Sequence, residues 1–134
     1  MQLCAAFLAA TRDWTMPRRI LNISSGLGRR AMAGTALYCA AKAGMDHFSR
    51  CVALDEGRHA QGARIVSLAP GVIDTDMQSE LRAGDLQAFP ERDHFVQLQR
   101  TASLTSPAAA AQRVLAFLAR PDFGTSPVAD VRNA

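Results

Sequence analysis

The stretch Arg19-Ile20-Leu21-Asn22-Ile23-Ser24-Ser25-Gly26 decides how this chain is read, together with Ala36-Leu37-Tyr38-Cys39-Ala40-Ala41-Lys42-Ala43-Gly44 just after it. The first segment is a short apolar run that ends in small polar residues and glycine, the pattern of a buried strand leading into a loop. The second carries the chain's single tyrosine and, four residues on, its single lysine; the other fourteen basic side chains are arginine. Residues at i and i+4 stack on one helix face. An ammonium beside a phenol favours the phenolate. It draws a group that normally titrates near pH ~10 toward values useful for acid–base work at neutral pH. Arginine would bring the charge, but its planar fork is a poor substitute for a compact ammonium. Taken alone, Tyr-x-x-x-Lys also arises by chance in many chains.

Working outward, a second apolar run, Ala63-Arg64-Ile65-Val66-Ser67-Leu68-Ala69, ends in Pro70-Gly71-Val72-Ile73-Asp74-Thr75-Asp76-Met77. Strand, loop, helix, strand and a Pro-Gly turn make a parallel α/β pattern. In open parallel sheets, sites form outside the carboxyl ends of the strands. Ser25 and Pro70-Gly71 both fall at such ends, and the loop after Ser25 leads into the helix of Tyr38 and Lys42. The spacing predicts a helix over 1–12, a strand over 19–25, a glycine-rich loop over 26–34 and a long helix over 35–58. Thr35 is its expected cap, with Gly57 or Gly62 at its end. A strand over 63–69 follows, then an excursion over 71–105 with helical pieces at Asp76–Ala83 and Asp93–Gln99. Ser106-Pro107 reads as a cap and first turn of a helix running to Arg120, and Pro127–Val131 as a last strand.

The chain resembles the C-terminal half of a short-chain dehydrogenase/reductase. Asn22-Ile23-Ser24-Ser25, Tyr38-x-x-x-Lys42 with Ala43-Gly44, and Pro70-Gly71-x-Ile73-x-Thr75 match that family in order and spacing. Within the family the chain looks like sepiapterin reductases and bacterial benzil reductases. The residues behind this are Ala36–Ala43, Ala69–Gln78, Thr11-Arg12-Asp13-Trp14 with Arg18-Arg19, and the tail from Leu104 to Asp130. The resemblance implies an α/β fold: the C-terminal part of a Rossmann-like, doubly wound parallel sheet in three α/β/α layers. It implies one partial domain over 1–134, the catalytic half, with a substrate-loop region at 76–105. The family's glycine-rich dinucleotide turn has no match. Gly26-Leu27-Gly28 is nearest but belongs to the serine loop. The N-terminal dinucleotide-binding half and the family's asparagine are therefore expected upstream of Met1.

By the same resemblance Tyr38 is the general acid in carbonyl reduction, or the base in reverse. Lys42 lowers its pKa and contacts the nicotinamide ribose. Ser25 hydrogen-bonds the carbonyl oxygen where charge develops. Pro70, Gly71, Ile73 and Thr75 hold the nicotinamide of NADP(H), with NAD(H) not excluded. Asp130 stands where sepiapterin reductases place a carboxylate that anchors the substrate; it reads equally as an exposed acid near a frayed terminus. The implied activity is NADP(H)-dependent reduction of a dicarbonyl or pterin-type ketone in the cytoplasm, by a homodimer or homotetramer. Two other readings stand beside it. One is an inactive remnant or self-association module lacking the pyrophosphate site. The other is an epimerase or isomerase using the same tyrosine and lysine.

Composition agrees with a globular domain. Of 134 residues 49% are apolar, enough for a core, and no run of 18 apolar residues suggests a membrane span. The net charge of +3 is modest and the arginines are scattered, which argues against nucleic-acid binding. Cys4, Cys39 and Cys51 show no Cys-x-x-Cys spacing and read as reduced thiols, with Cys4 and Cys51 as small apolar helix residues. His47, His59 and His94 share no metal-ligand spacing, so no metal is expected.

Overall fold

In the computed structural model, residues 1–84, 87, 89–101 and 103–133 are described. Three parallel strands, β1 (Arg19–Ile23), β2 (Arg64–Ala69) and β3 (Val128–Asp130), form a sheet in the order β1-β2-β3. Register runs from Arg19 opposite Arg64 to Ile23 opposite Leu68, and from Ser67 opposite Val128 to Ala69 opposite Asp130. Helices α1 (Gln2–Ala10) and α2 (Ala36–Glu56) cover one face and α5 (Pro107–Ala119) the other, while α3 (Asp76–Ala83) and α4 (Arg92–Arg100) lie in the excursion after β2.

Alternation along the strands explains the layers. Ile20 and Ile65 face α1 and α2, meeting Cys4, Phe7, Leu8, Phe48 and Val52. Leu21, Val66 and Leu68 face the other way, onto Phe123, Val114, Phe117 and Leu118. The central strand β2 is buried from Ile65 to Ala69, as expected for a parallel strand covered on both sides. Arg18, itself buried, joins the helix layer to the sheet: it pairs with Glu56 at 3.3 Å and donates to the Gln61 carbonyl at 2.9 Å. Arg19 donates to the carbonyls of Leu118 and Arg120, which holds the end of α5 to β1.

The elements follow the order expected from the sequence, with local differences. β1 ends at Ile23 and not at Ser25, because Ser25 begins a 3-10 turn over Gly26–Gly28. Thr35 stands at the N-cap of α2 without capping it; its hydroxyl donates back to the Met32 carbonyl at 2.9 Å. Gly57 does end α2, in a right-handed conformation. Ser106 caps α5 through the Ala109 N–H, with Pro107 in the first turn. Cys51 lies exposed on α2, whereas Cys4 is buried as an apolar residue would be.

The excursion is closed at its base: the Thr105 N–H donates to Val72, and the Asp74 N–H to Thr105. Within it Phe89 and Phe95 stack at 5.5 Å and join Leu81 and Leu98. That cluster also takes in Leu27 and Met32, so the excursion packs against the loop that follows Ser25. Residues 85, 86, 88 and 102 of the 76–105 region lie outside the described residues.

Candidate active site

Parallel pairing brings the ends of β1, β2 and β3 to one edge of the sheet, and the residues singled out in the sequence gather there. α2 rises from this edge with Tyr38 and Lys42 one turn apart. The Lys42 ammonium lies 5.6 Å from the centre of the Tyr38 ring and donates to the Ile23 carbonyl at 2.9 Å. The lysine is thereby tied to the last residue of β1, two positions before Ser25. Tyr38 is half-buried, and its hydroxyl has no hydrogen-bond partner among the described residues.

Ser25 sits in extended backbone at the head of the 3-10 turn, and its Oγ accepts the Leu27 N–H at 3.2 Å. That bond uses an oxygen lone pair and leaves the hydroxyl proton free to donate. The turn lies close on α2. A Cβ added to Gly28 would stand 3.0 Å from the Lys42 backbone carbon and 3.2 Å from Asp46 Oδ2. Glycine at this position therefore serves the approach of the serine loop to the lysine helix.

Across the edge, Gly71 takes φ +86, a left-handed conformation that suits glycine. Pro70 and Gly71 turn the chain out of β2, and Ile73 bridges to Thr105. Thr75 precedes α3 as its N-cap; its hydroxyl does not cap the helix and has no partner among the described residues. Ile73 and Thr75 thus belong to the base of the excursion.

Asp130 ends β3 opposite Ala69, next to the Pro70-Gly71 turn. Its carboxylate is not open. Arg132 donates to it from its backbone N–H at 3.0 Å, from Nε at 2.9 Å and from Nη2 at 2.6 Å. These bonds hold the Asp130 carboxyl below the usual aspartate range and raise the Arg132 guanidinium further. The same guanidinium lies over the serine loop, with Nη2 3.9 Å from where a Cβ on Gly26 would stand.

Sequence reading missed one group. Asp46, one turn beyond Lys42, is 1% exposed and sits beneath the site. Its partners come from residues 24, 29 and 67, so no local spacing announces them. The only signal in the sequence is a carboxylate on the inward face of a helix. Among the described residues, no three His, Cys, Asp or Glu side chains group as a metal site, and no helix is long and apolar enough to cross a membrane.

Residues 2–86 match the family model described as short chain dehydrogenase. The chain is 36% identical over 123 residues to a benzil reductase ((S)-benzoin forming) of Bacillus cereus, covering 92% of this chain and 49% of that protein. It is 32% identical over 109 residues to the sepiapterin reductase of Rattus norvegicus, covering 81% of this chain and 39% of that one. The chain thus spans about half the length, or less, of the curated relatives it matches. In fold it is similar to the crystal structure of the KRED1-Pglu enzyme, with a TM-score of 0.68 at 24% identity, covering 82% of this chain and 46% of that chain.

Proposed function

The chain belongs to the short chain dehydrogenase family, and from that premise we propose that it carries the proton-transfer half of an NADP(H)-dependent carbonyl reductase. The observation that carries this reading is the Tyr38–Lys42 pair, stacked on α2 and tied through Ile23 to the strand end before Ser25.

The chain's own residues divide the work. Tyr38 gives its hydroxyl proton to the carbonyl oxygen as that oxygen gains charge, and the proton is replaced from solvent. Ser25 donates its free hydroxyl hydrogen to the same oxygen. Lys42 holds its ammonium beside the phenol ring and favours the phenolate left behind. The donor set fits a nicotinamide nucleoside: a lysine ammonium for ribose hydroxyls, and the Ile73 backbone with the Thr75 hydroxyl, which does not cap α3, for a carboxamide, next to Pro70 and Gly71. When bound, the reduced nicotinamide supplies the hydride that reaches the carbonyl carbon. The excursion supports a water-excluding role, because its apolar cluster already rests on Leu27 and Met32 of the serine loop.

Of the two substrate classes, a neutral dicarbonyl is favoured over a pterin-type ketone. Asp130 would have to release Arg132 to receive an amino group. Asp130 and Arg132 together then line the substrate end. The test is NADPH oxidation by the full-length protein with benzil and with sepiapterin. Turnover of benzil that is lost in Tyr38→Phe is the expected result, with NADH as the comparison cofactor. No turnover of either carbonyl would refute the reading. A self-association role is supported separately by exposed Leu3 on α1 and by Leu37 and Leu54 on α2, and sedimentation of the same protein tests it.

A further inference from the structure

The structure assigns to Asp46 a positioning role: its buried carboxylate sets the serine loop against the lysine helix, and Arg29 links that setting to β3. Asp46 Oδ1 accepts the Ser24 hydroxyl at 2.6 Å and the Ser67 hydroxyl at 2.8 Å. Oδ2 accepts Arg29 Nε at 3.0 Å. A carboxylate taken out of water is costly unless its oxygens are paired and hydrogen-bonded. Here both are engaged, by donors from three separate segments. Moving any of those segments strands a buried charge.

The consequence falls on the reacting groups. Ser24 is the neighbour of Ser25, and its own N–H is held by the Leu68 carbonyl at 2.8 Å. Side chains alternate along extended backbone, and Ser25 has φ −153 and ψ 155. With Ser24 bound to Asp46, Ser25 is turned to the other side, where its Oγ heads the 3-10 turn. On the helix side, Asp46 follows Lys42 by one turn, and Gly28 is wedged against both. Arg29 then reaches over the sheet, donating to Ala129 at 2.9 Å and more distantly to Ser67 at 3.5 Å. Ala129 is the residue before Asp130. One carboxylate thus joins the serine, the lysine helix and the strand that ends at the Asp130–Arg132 pair.

The catalytic part of this inference rests on the carbonyl-reductase reading; the positional part does not, and two measurements on the full-length protein separate them. The first is amide hydrogen exchange in Asp46→Asn and in the milder Arg29→Gln. Asparagine keeps an acceptor for the two hydroxyls but presents an N–H to Arg29. Exchange at Leu27, Gly28 and Arg29 should quicken about tenfold or more, while Val66 and Leu68 in β2 change by less than about threefold. Unchanged loop amides, or equal acceleration in β2, would overturn the positioning role. The second is benzil reduction. Asp46→Asn should lower kcat about 10–100-fold with KM little changed, and that loss should vanish in a Ser25→Ala background. Independent, multiplying losses would show that Asp46 does not act through Ser25. If Ser25→Ala alone leaves the rate unchanged, the reductase reading fails, and the exchange result still decides the position of the loop.

Discussion

Lys42 Nζ donates to the carbonyl of Ile23 at 2.9 Å, so the one lysine of the chain is bonded to the last residue of the strand that delivers Ser25. The contact joins two elements through a backbone acceptor, which is present whatever side chain stands at position 23. It also leaves the ammonium within 5.6 Å of the Tyr38 ring centre.

Tyr38→Phe in the full-length protein should lower NADPH-dependent benzil reduction by at least about 100-fold with folding intact, the size of a lost general acid. Steady-state kinetics beside a circular dichroism spectrum checks it. A loss below tenfold would remove Tyr38 from proton transfer.

Lys42→Arg keeps the charge and should still cost about tenfold or more in kcat. The guanidinium is wider than an ammonium and fixes its donors in a plane, so it cannot keep both the 2.9 Å bond to Ile23 and the seat beside the phenol. Recovery of full activity in this variant would mean that charge alone is needed.

Gly28→Val should destabilise the chain by about 1–3 kcal/mol, the usual range for overpacking. Its Cβ meets helix backbone, the Lys42 carbon at 3.0 Å and oxygen at 3.1 Å, which has little room to give. Denaturant unfolding measures the cost. A variant as stable as the parent would show that the loop shifts freely.

Phe123→Ala removes a ring that is 1% exposed and packs on Phe117, Val66 and Leu68. The expected loss is about 3–5 kcal/mol, for lost burial and the cavity left behind. Thermal unfolding tests it, and a loss under 1 kcal/mol would mean that α5 closes onto the sheet.

The Asp130–Arg132 pair should contribute stability at neutral pH that disappears in acid. Hydrogen bonds from Arg132 depress the Asp130 carboxyl below its ordinary value of 3.8. A depressed folded value favours the folded state above the ordinary value, and the gain is lost as pH falls through the lower one. The thermal midpoint of Asp130→Asn should therefore lie below that of the parent at pH 7 and converge with it below pH 3.8. A gap that persists unchanged in acid would contradict the pairing.

Much of the fold was legible because its signals are local. Apolar runs near 20 and 65, a four-residue Tyr–Lys spacing and Ser106-Pro107 at a helix start each follow from periods and caps that neighbouring residues enforce. They determined the strand–loop–helix–strand order and placed Tyr38 and Lys42 on one face. Tertiary structure alone decided the rest. Asp46 meets Ser24 and Ser67 from 22 and 21 residues away, and Arg29 reaches Ala129 across 100. Arg132 claims Asp130 from only two residues away, yet the guanidinium that does so lies over Gly26 of the serine loop. No spacing encodes such meetings. They exist because parallel pairing brings three strand ends to one edge, and a buried charge must take whatever donors that edge supplies.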